Sequence, residues 1–408
     1  MSRRNLLLSL VAFALALAVS SGCGGASSST PNASGGSSPV IGMRLDALKP
    51  PDAAKIAQAA EGAHAGGVGL DLYWGDIEPK RPTADGKHTY RWGSSGFEQT
   101  VNAMRSAGVN VLTVRVRAAP DWAVKGKSCK YKACPPLPAY YDDFRTFVAA
   151  AVRRYGPGGS NNTDIQHWSL WNEPNKTIEW GGEGGHTGTY KQYSNLLVGF
   201  HAAVERAAAS NGAKDEVSVD AGELAAGGAK GDNAPRGWVA AFERYNKAQG
   251  RDGDFDLLTI HAYSQDPRGV TAKLLNYQRL FKGHQVAVTE FGWSVGGPRH
   301  GGNWKCVPNE GAQAAKFTHT VDAVKKDPRL ENVPWLVWFV GVDEDFGVDA
   351  HAKTPKCPVK TWYRPRVRPS MNAFGLYERA RNGSGFDLHP RKVVDAFSAA
   401  AERGGGGG

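Results

Sequence analysis

Two short stretches carry the residues that could do chemistry. Residues 164–175 read DIQHWSLWNEPN, and residues 285–294 read QVAVTEFGWS. Each begins as an apolar run rich in aromatic or β-branched residues, the composition of a strand buried on both faces of a parallel sheet. The first stops at Asn172, Glu173 and Pro174. Proline cannot donate to a sheet ladder, so the strand ends there. The second runs into Glu290 and a Phe-Gly-Trp turn. Both predict a carboxylate at the carboxyl end of a buried strand, beside tryptophan. Two carboxylates facing one sugar-sized site can divide a glycosidic displacement between them, one as nucleophile and one as proton donor, when they stand about 5–5.5 Å apart. A plainer reading stands beside this one: a lone Asn-Glu-Pro is a weak signal, and Glu173 could cap the next helix or pair with a lysine.

Positioning such residues requires a scaffold, and the chain alternates strand and helix along its length. Eight apolar runs read as strands, at 40–45, 67–74, 109–116, 164–171, 217–221, 255–263, 286–289 and 333–340. Amphipathic helices are expected between them, among them 51–65, 140–155, 189–209 and 311–325, with closing helices at 371–381 and 391–402. Ser95-Gly96-Phe97-Glu98 spells a capping box before another. Alternation of this kind predicts parallel strands with crossover helices, and eight repeats predict a closed (β/α)8 TIM barrel, class α/β. Glu173 would then end the fourth strand and Glu290 the seventh. No dinucleotide fingerprint follows the first strand, which argues against an open Rossmann sheet.

Composition bounds the rest. The net charge is +10, which suits an acidic glycan as well as ordinary solubility. No Lys/Arg run with interleaved aromatics appears, so nucleic acid is not an expected partner. Residues 1–22 read as a signal peptide of lipoprotein type: Arg3 and Arg4 precede an apolar run that leads to Ser20-Ser21-Gly22-Cys23. Ser20 departs from the usual lipobox aliphatic residue, so plain secretion is the alternative to lipidation at Cys23. Residues 23–39 form a Gly/Ser-rich tether, 40–402 the barrel, and 403–408 a polyglycine tail. The expected location is the bacterial cell surface or outside the cell, with membrane contact only through the lipid. Without Cys23 an even count of cysteines remains. In an exported chain this predicts disulfides, Cys129 with Cys134 in one loop and Cys306 with Cys357 across the last strand. The rival reading is a metal site, but no CxxC pair or HExxH helix is present. No cofactor or metal is expected. Nothing in the sequence bears on oligomeric state.

WNEPN at Trp171 to Asn175 and TEFGW at Thr289 to Trp293 resemble the two motifs of clan A glycoside hydrolases, an Asn-Glu acid/base after strand four and a nucleophilic glutamate after strand seven. Within the clan the chain looks most like family 39, the β-xylosidase/iduronidase-like and bacterial exopolysaccharide-cleaving enzymes, with cellulase-like family 5 as rival. The resemblance runs over roughly residues 40–397, and only the strand ends are specific. The Cys-bearing loops and the Gly-rich stretch 177–186 match nothing in the clan.

This likeness implies retaining hydrolysis of an O-glycoside in a polysaccharide or oligosaccharide. Glu290 would be the nucleophile. Glu173 would be the acid/base with a raised pKa, and Asn172 would hold the sugar 2-hydroxyl. Tyr263, with His261 beside it, would correspond to the clan's tyrosine on the nucleophile. Trp338 would be its tryptophan near the end of strand eight.

Trp74, Trp122, Trp180 and Trp293 are further candidate sugar platforms, with core packing the equal alternative. Arg115 and Arg117 could grip a hydroxyl or a carboxylate, or pair with Asp121. Asp343, Glu344, Asp345, Glu78 and Glu223 read as spectators, or as calcium candidates. Two other functions compete: a non-catalytic carbohydrate-binding protein on the same scaffold, and a metal-dependent barrel enzyme of another class.

Overall fold

The computed structural model describes residues 38–45, 52–124, 134–176, 179–180, 189–226, 235–295, 306–343, 374–382 and 385–403. The expected leader, Cys23, most of the tether, Cys129, Cys357, Glu344, Asp345 and the polyglycine tail lie outside them. Cys134 is disulfide-bonded, and with Cys129 and Cys357 outside the described set the expected pairings stay a proposal.

Eight parallel strands close into a barrel: β1 Val40–Leu45, β2 Val68–Tyr73, β3 Val111–Arg117, β4 His167–Leu170, β5 Ser218–Ala225, β6 Leu257–His261, β7 Gln285–Phe291 and β8 Trp335–Trp338. Each pairs with its sequence neighbours, and β1 closes the ring on β8 through Val40–Trp335 and Met43–Trp338. The strands are buried along nearly their whole length, as the apolar runs require of a sheet covered on both faces.

The covering helices are α1 Ala53–Gly62, a single turn α2 Trp74–Ile77, α3 Phe97–Ser106, α4 Tyr141–Tyr155, α5 Tyr190–Ser210, α6 Pro235–Ala248, α7 Pro267–Leu280, α8 Glu310–Lys326 and α9 Val393–Glu402. Each long helix turns one apolar face inward. In α4 this face is Phe144, Phe147, Val148 and Val152. Among the described residues no helix is long and apolar enough to cross a membrane.

Three local expectations are corrected. The capping box before α3 does not form. Gly96 caps with φ 79° and no side-chain bond, while Glu98 reaches across to Arg154 and Tyr155 on α4 at 2.6 and 2.7 Å. The box is instead at α5, where Thr189 and Gln192 bond each other's backbone. The helix expected over 371–381 is, in its described part, strand β9 Tyr377–Asn382, paired antiparallel with β10 Gly385–Pro390. Its apolar residues Phe374, Leu376 and Tyr377 pack on the barrel, and that tertiary contact overrides a helical spacing. Finally, β5 extends past 221 and takes in Glu223.

Candidate functional site

The site lies at the carboxyl ends of the strands, and seven of the eight contribute. Arg44 comes from β1, Asp71 from β2, Arg115 and Arg117 from β3, Glu223 from β5, His261 from β6 and Glu290 from β7. Asn172 and Glu173 follow β4 directly.

The turn carrying Glu173 is held in an uncommon backbone. Trp171 and Glu173 both have positive φ, 68° and 41°, a conformation that costs an L-residue about 1–3 kcal/mol and persists only where its surroundings enforce it. Here the enforcement comes from β5. Glu173 N–H donates to the Glu223 carbonyl at 2.7 Å, and Glu223 N–H donates to the Trp171 carbonyl at 3.0 Å. The Asn175 side chain bonds both N–H and C=O of Ala225 at 2.9 Å.

Glu173 and Glu290 converge on one imidazole. His261 Nδ1 bonds Glu173 Oε1 at 3.0 Å and lies 3.2 Å from Glu290 Oε2. The two carboxylates therefore face one small site across a single ring nitrogen. Both carboxylates retain some exposure, 9% and 7%. Tyr263 OH donates to Glu290 Oε2 at 3.0 Å, and Arg115 Nη1 donates to Glu290 Oε1 at 3.1 Å. Arg115 also donates to the Asn172 side-chain carbonyl, which leaves the Asn172 NH2 as the end able to meet a hydroxyl.

Beneath this pair lies a buried charge network. Arg115 binds Asp71 through Nε and Nη2 at 2.7 and 2.9 Å, and Glu223 at 2.7 Å. Arg44 joins Asp71 to Glu223, the latter at 2.9 Å.

Electrostatics follow from these contacts. Burial raises the Glu173 pKa, but Lys176 Nζ at 2.5 Å and His261 outweigh it and hold the carboxyl well below its ordinary range. The raised pKa expected of an acid is therefore not the state of this structure; the lysine pairing of the plainer reading is present as well. Burial lowers the His261 pKa, yet Glu290, Glu173 and Glu223 together lift it to about 9. Burial likewise opposes ionisation of Glu223, and Arg115 and Arg44 reverse that to about 2. Glu223, His261 and Glu290 bring donor atoms within 4.8 Å of one another, a spacing a metal ion could use. Those carboxylates already meet Arg115, and both His261 nitrogens are engaged, so protein cations fill that role.

Several sequence candidates fall elsewhere. Trp74, Trp293 and Trp338 are completely buried. Trp338 donates to the Phe374 carbonyl at 3.0 Å, Trp293 to Ser264 at 2.8 Å, and Trp74 to Glu78 Oε2 at 2.8 Å. They are core residues: Trp338 packs on Phe291 and Phe317, Trp293 on Phe291 and Trp338, and Trp74 on Phe144 and Phe147. Trp180 is buried against Trp171 and Tyr193. Trp122 is half-buried and packs edge-on against Trp74 and Tyr140, so of the five it alone keeps exposed ring. Arg117 pairs with Glu179 at 3.0 Å and Asp71 at 3.8 Å, rather than with Asp121. Asp343 is a buried brace that accepts from Gly375 N–H at 2.6 Å and from Arg391, so an arginine meets the carboxylate that also reads as a calcium candidate.

Sequence reasoning left out Arg44, Asp71 and Lys176, and set Glu223 aside. The signal for Glu223 was Gly222, since glycine inside a strand marks an irregularity. The β5–β6 register shifts between Ala221 and Leu224. Gly222 has φ 126°, and a Cβ there would run into the Thr259 carbonyl. An irregularity of this kind re-aims the next side chain, here into the barrel.

No family model matches the chain, and no curated protein matches it. Solved structures do match it. A family 39 glycoside hydrolase from the gut symbiont Bacteroides cellulosilyticus WH2 is 18% identical with TM-score 0.58, over 90% of this chain and 64% of that one. The AHE enzyme from Alicyclobacillus herbarius is 10% identical with TM-score 0.61, over 91% and 98%. A GH5_18 protein from Bifidobacterium longum subsp. longum in complex with Manb1-4GlcNAc is 13% identical with TM-score 0.56, over 90% and 78%. The chain thus spans under two thirds of the family 39 enzyme. At these identities the likeness establishes the fold, a closed (β/α)8 barrel.

Proposed function

We propose that the chain is a retaining O-glycoside hydrolase acting on a polysaccharide or oligosaccharide, with Glu290 as nucleophile and Glu173 as acid/base. The observation that carries this reading is the convergence of both carboxylates on His261 Nδ1 at 3.0 and 3.2 Å. Solved neighbours that are themselves glycoside hydrolases support it.

Glu290, oriented by Tyr263 and Arg115, attacks the anomeric carbon as the bond to the leaving oxygen breaks and Glu173 supplies that oxygen's proton. Water then attacks the same carbon, Glu173 takes the water proton, and the electron pair of the ester bond returns to Glu290. Glu173 must gain a proton before the first step. In the free protein its two oxygens face Lys176 and His261, so protonation requires that Lys176 be displaced or that the medium be acidic.

The test is a screen of chromogenic glycosides and polysaccharides with the anomeric form of the product recorded, followed by Glu173→Gln and Glu290→Gln. Each substitution should lower turnover by about 10²-fold or more. Full activity in either variant removes that residue from the mechanism, and an inverted product removes the covalent step. The ion-paired state of Glu173 favours one second reading, a carbohydrate-binding protein without turnover. Glycan binding with no product across the same panel selects it. Export and lipid attachment at Cys23 are proposals alongside this one.

A further inference from the structure

Glu223 is fully buried; Arg44 ties its Oε1 to Asp71, and its other side-chain partners lead to the reacting groups. Its Oε2 meets His261 Nε2 at 3.0 Å and Arg115 Nη1 at 2.7 Å. Its backbone holds the turn that carries Glu173. Arg115 continues to Glu290 and Asn172, and His261 to Glu173 and Glu290.

We propose that Glu223 is a positioning residue for turnover: by accepting from His261 Nε2 it holds the imidazole as a two-armed cation whose Nδ1–H faces Glu173 and Glu290 together, and this bond passes wholly to Glu173 once Glu290 is esterified. The proposal rests on the glycosidase reading and adds the device that converts Glu173 from acid to base between the two displacements.

The argument is one of proton inventory. A neutral imidazole has a single N–H, and here both ring nitrogens meet carboxylates, so the neutral ring would set a lone pair against an anion. The imidazolium satisfies both sides. Around it stand the anions Glu173 after β4, Glu223 on β5 and Glu290 on β7; the cations Arg44 from β1 and Arg115 from β3 meet Glu223, Arg115 also meets Glu290, and Lys176 after β4 meets Glu173. Tyr263 contributes a hydroxyl on Glu290.

In the free enzyme the Nδ1 charge is shared between two carboxylates. An ester on Glu290 is neutral, so the cation then serves Glu173 alone. Donation to a carboxylate favours its ionised form, which is the form that accepts the proton of the attacking water while the ester C–O electron pair returns to Glu290.

Glu223→Gln in the full chain tests this, since glutamine still accepts from Nε2 but carries no charge. The His261 titration, read from its ring ¹⁵N and ¹H resonances, should fall by about one unit or more. The acid limb of kcat should move to higher pH. With the glycosyl-enzyme accumulating, kcat and KM should fall together while kcat/KM stays within a few-fold. An unmoved His261 titration overturns the proposal, as does an equal loss in kcat and kcat/KM at every pH, the signature of a merely structural role. Should Glu223→Gln not fold, the wild-type spectrum decides alone: both ring nitrogens protonated at neutral pH support the proposal, and a neutral His261 overturns it. A wild-type protein that turns over no glycoside sinks the catalytic reading, while the titration still reports whether Glu223 sets the charge of His261.

Discussion

Lys176→Met removes one cation from Glu173 and keeps the length of the side chain. Lys176 Nζ stands 2.5 Å from Glu173 Oε2 and is the leading cause of the carboxyl's lowered pKa. A hydrogen bond to a charged group contributes about 1.5–3 kcal/mol. At 1.36 kcal/mol per pKa unit its loss raises Glu173 by about 1–2 units. The sign is fixed by the chemistry: the acid must be protonated to act, so a higher pKa extends activity to higher pH. In wild type the alkaline limb of kcat/KM, which reports the acid of the free enzyme, should therefore lie at acidic pH. In Lys176→Met it should move up by about 1–2 pH units, and Lys176→Arg should restore it. The assay is initial rates well below KM on a chromogenic glycoside with a poor leaving group, so that proton donation limits the rate. A limb that stays in place in Lys176→Met, or that moves to lower pH, refutes the assignment of Lys176 as the group that ionises Glu173.

Two further outcomes follow from the same contacts. His261 is raised from 6.5 to about 9, so its contribution to stability is complete below about pH 6.5 and lost as pH rises through 9, amounting to about 3 kcal/mol by linkage. Urea midpoints should fall across that window in wild type and fall less in His261→Gln; equal slopes would contradict the buried imidazolium. Trp338→Ala should cost about 3–5 kcal/mol of stability, as for a buried aromatic, while KM of the folded fraction stays unchanged; a large rise in KM with stability intact would restore Trp338 as a sugar platform.

The barrel was legible because each strand announces itself locally: an apolar run, a turn residue, then a helix with its own apolar face. The Asn172-Glu173-Pro174 and Glu290-Phe291-Gly292 turns were legible for the same reason, since proline and glycine mark where a strand must stop. Tyr263, with His261 beside it, could be named only through the likeness to clan A, which expects a tyrosine on the nucleophile near the end of strand six. The tryptophans misled, because proximity to a strand end does not say which way an indole points. Trp74, Trp293 and Trp338 turn away from the site and find backbone or carboxylate partners in the core.

Residue types and their spacing thus determined the eight-fold alternation, and placed two glutamates at strand ends on the same rim. Closure of the ring decided the rest. It brings Arg44 to Glu223 across 179 residues of chain and Arg115 to Glu290 across 175, distances over which no local pattern carries information. Inside that ring, out of water, each charge is set by whichever opposite charge the strand register places against it. This is why the lowered pKa of Glu173, the raised pKa of His261 and the central position of Glu223 emerge from the fold alone.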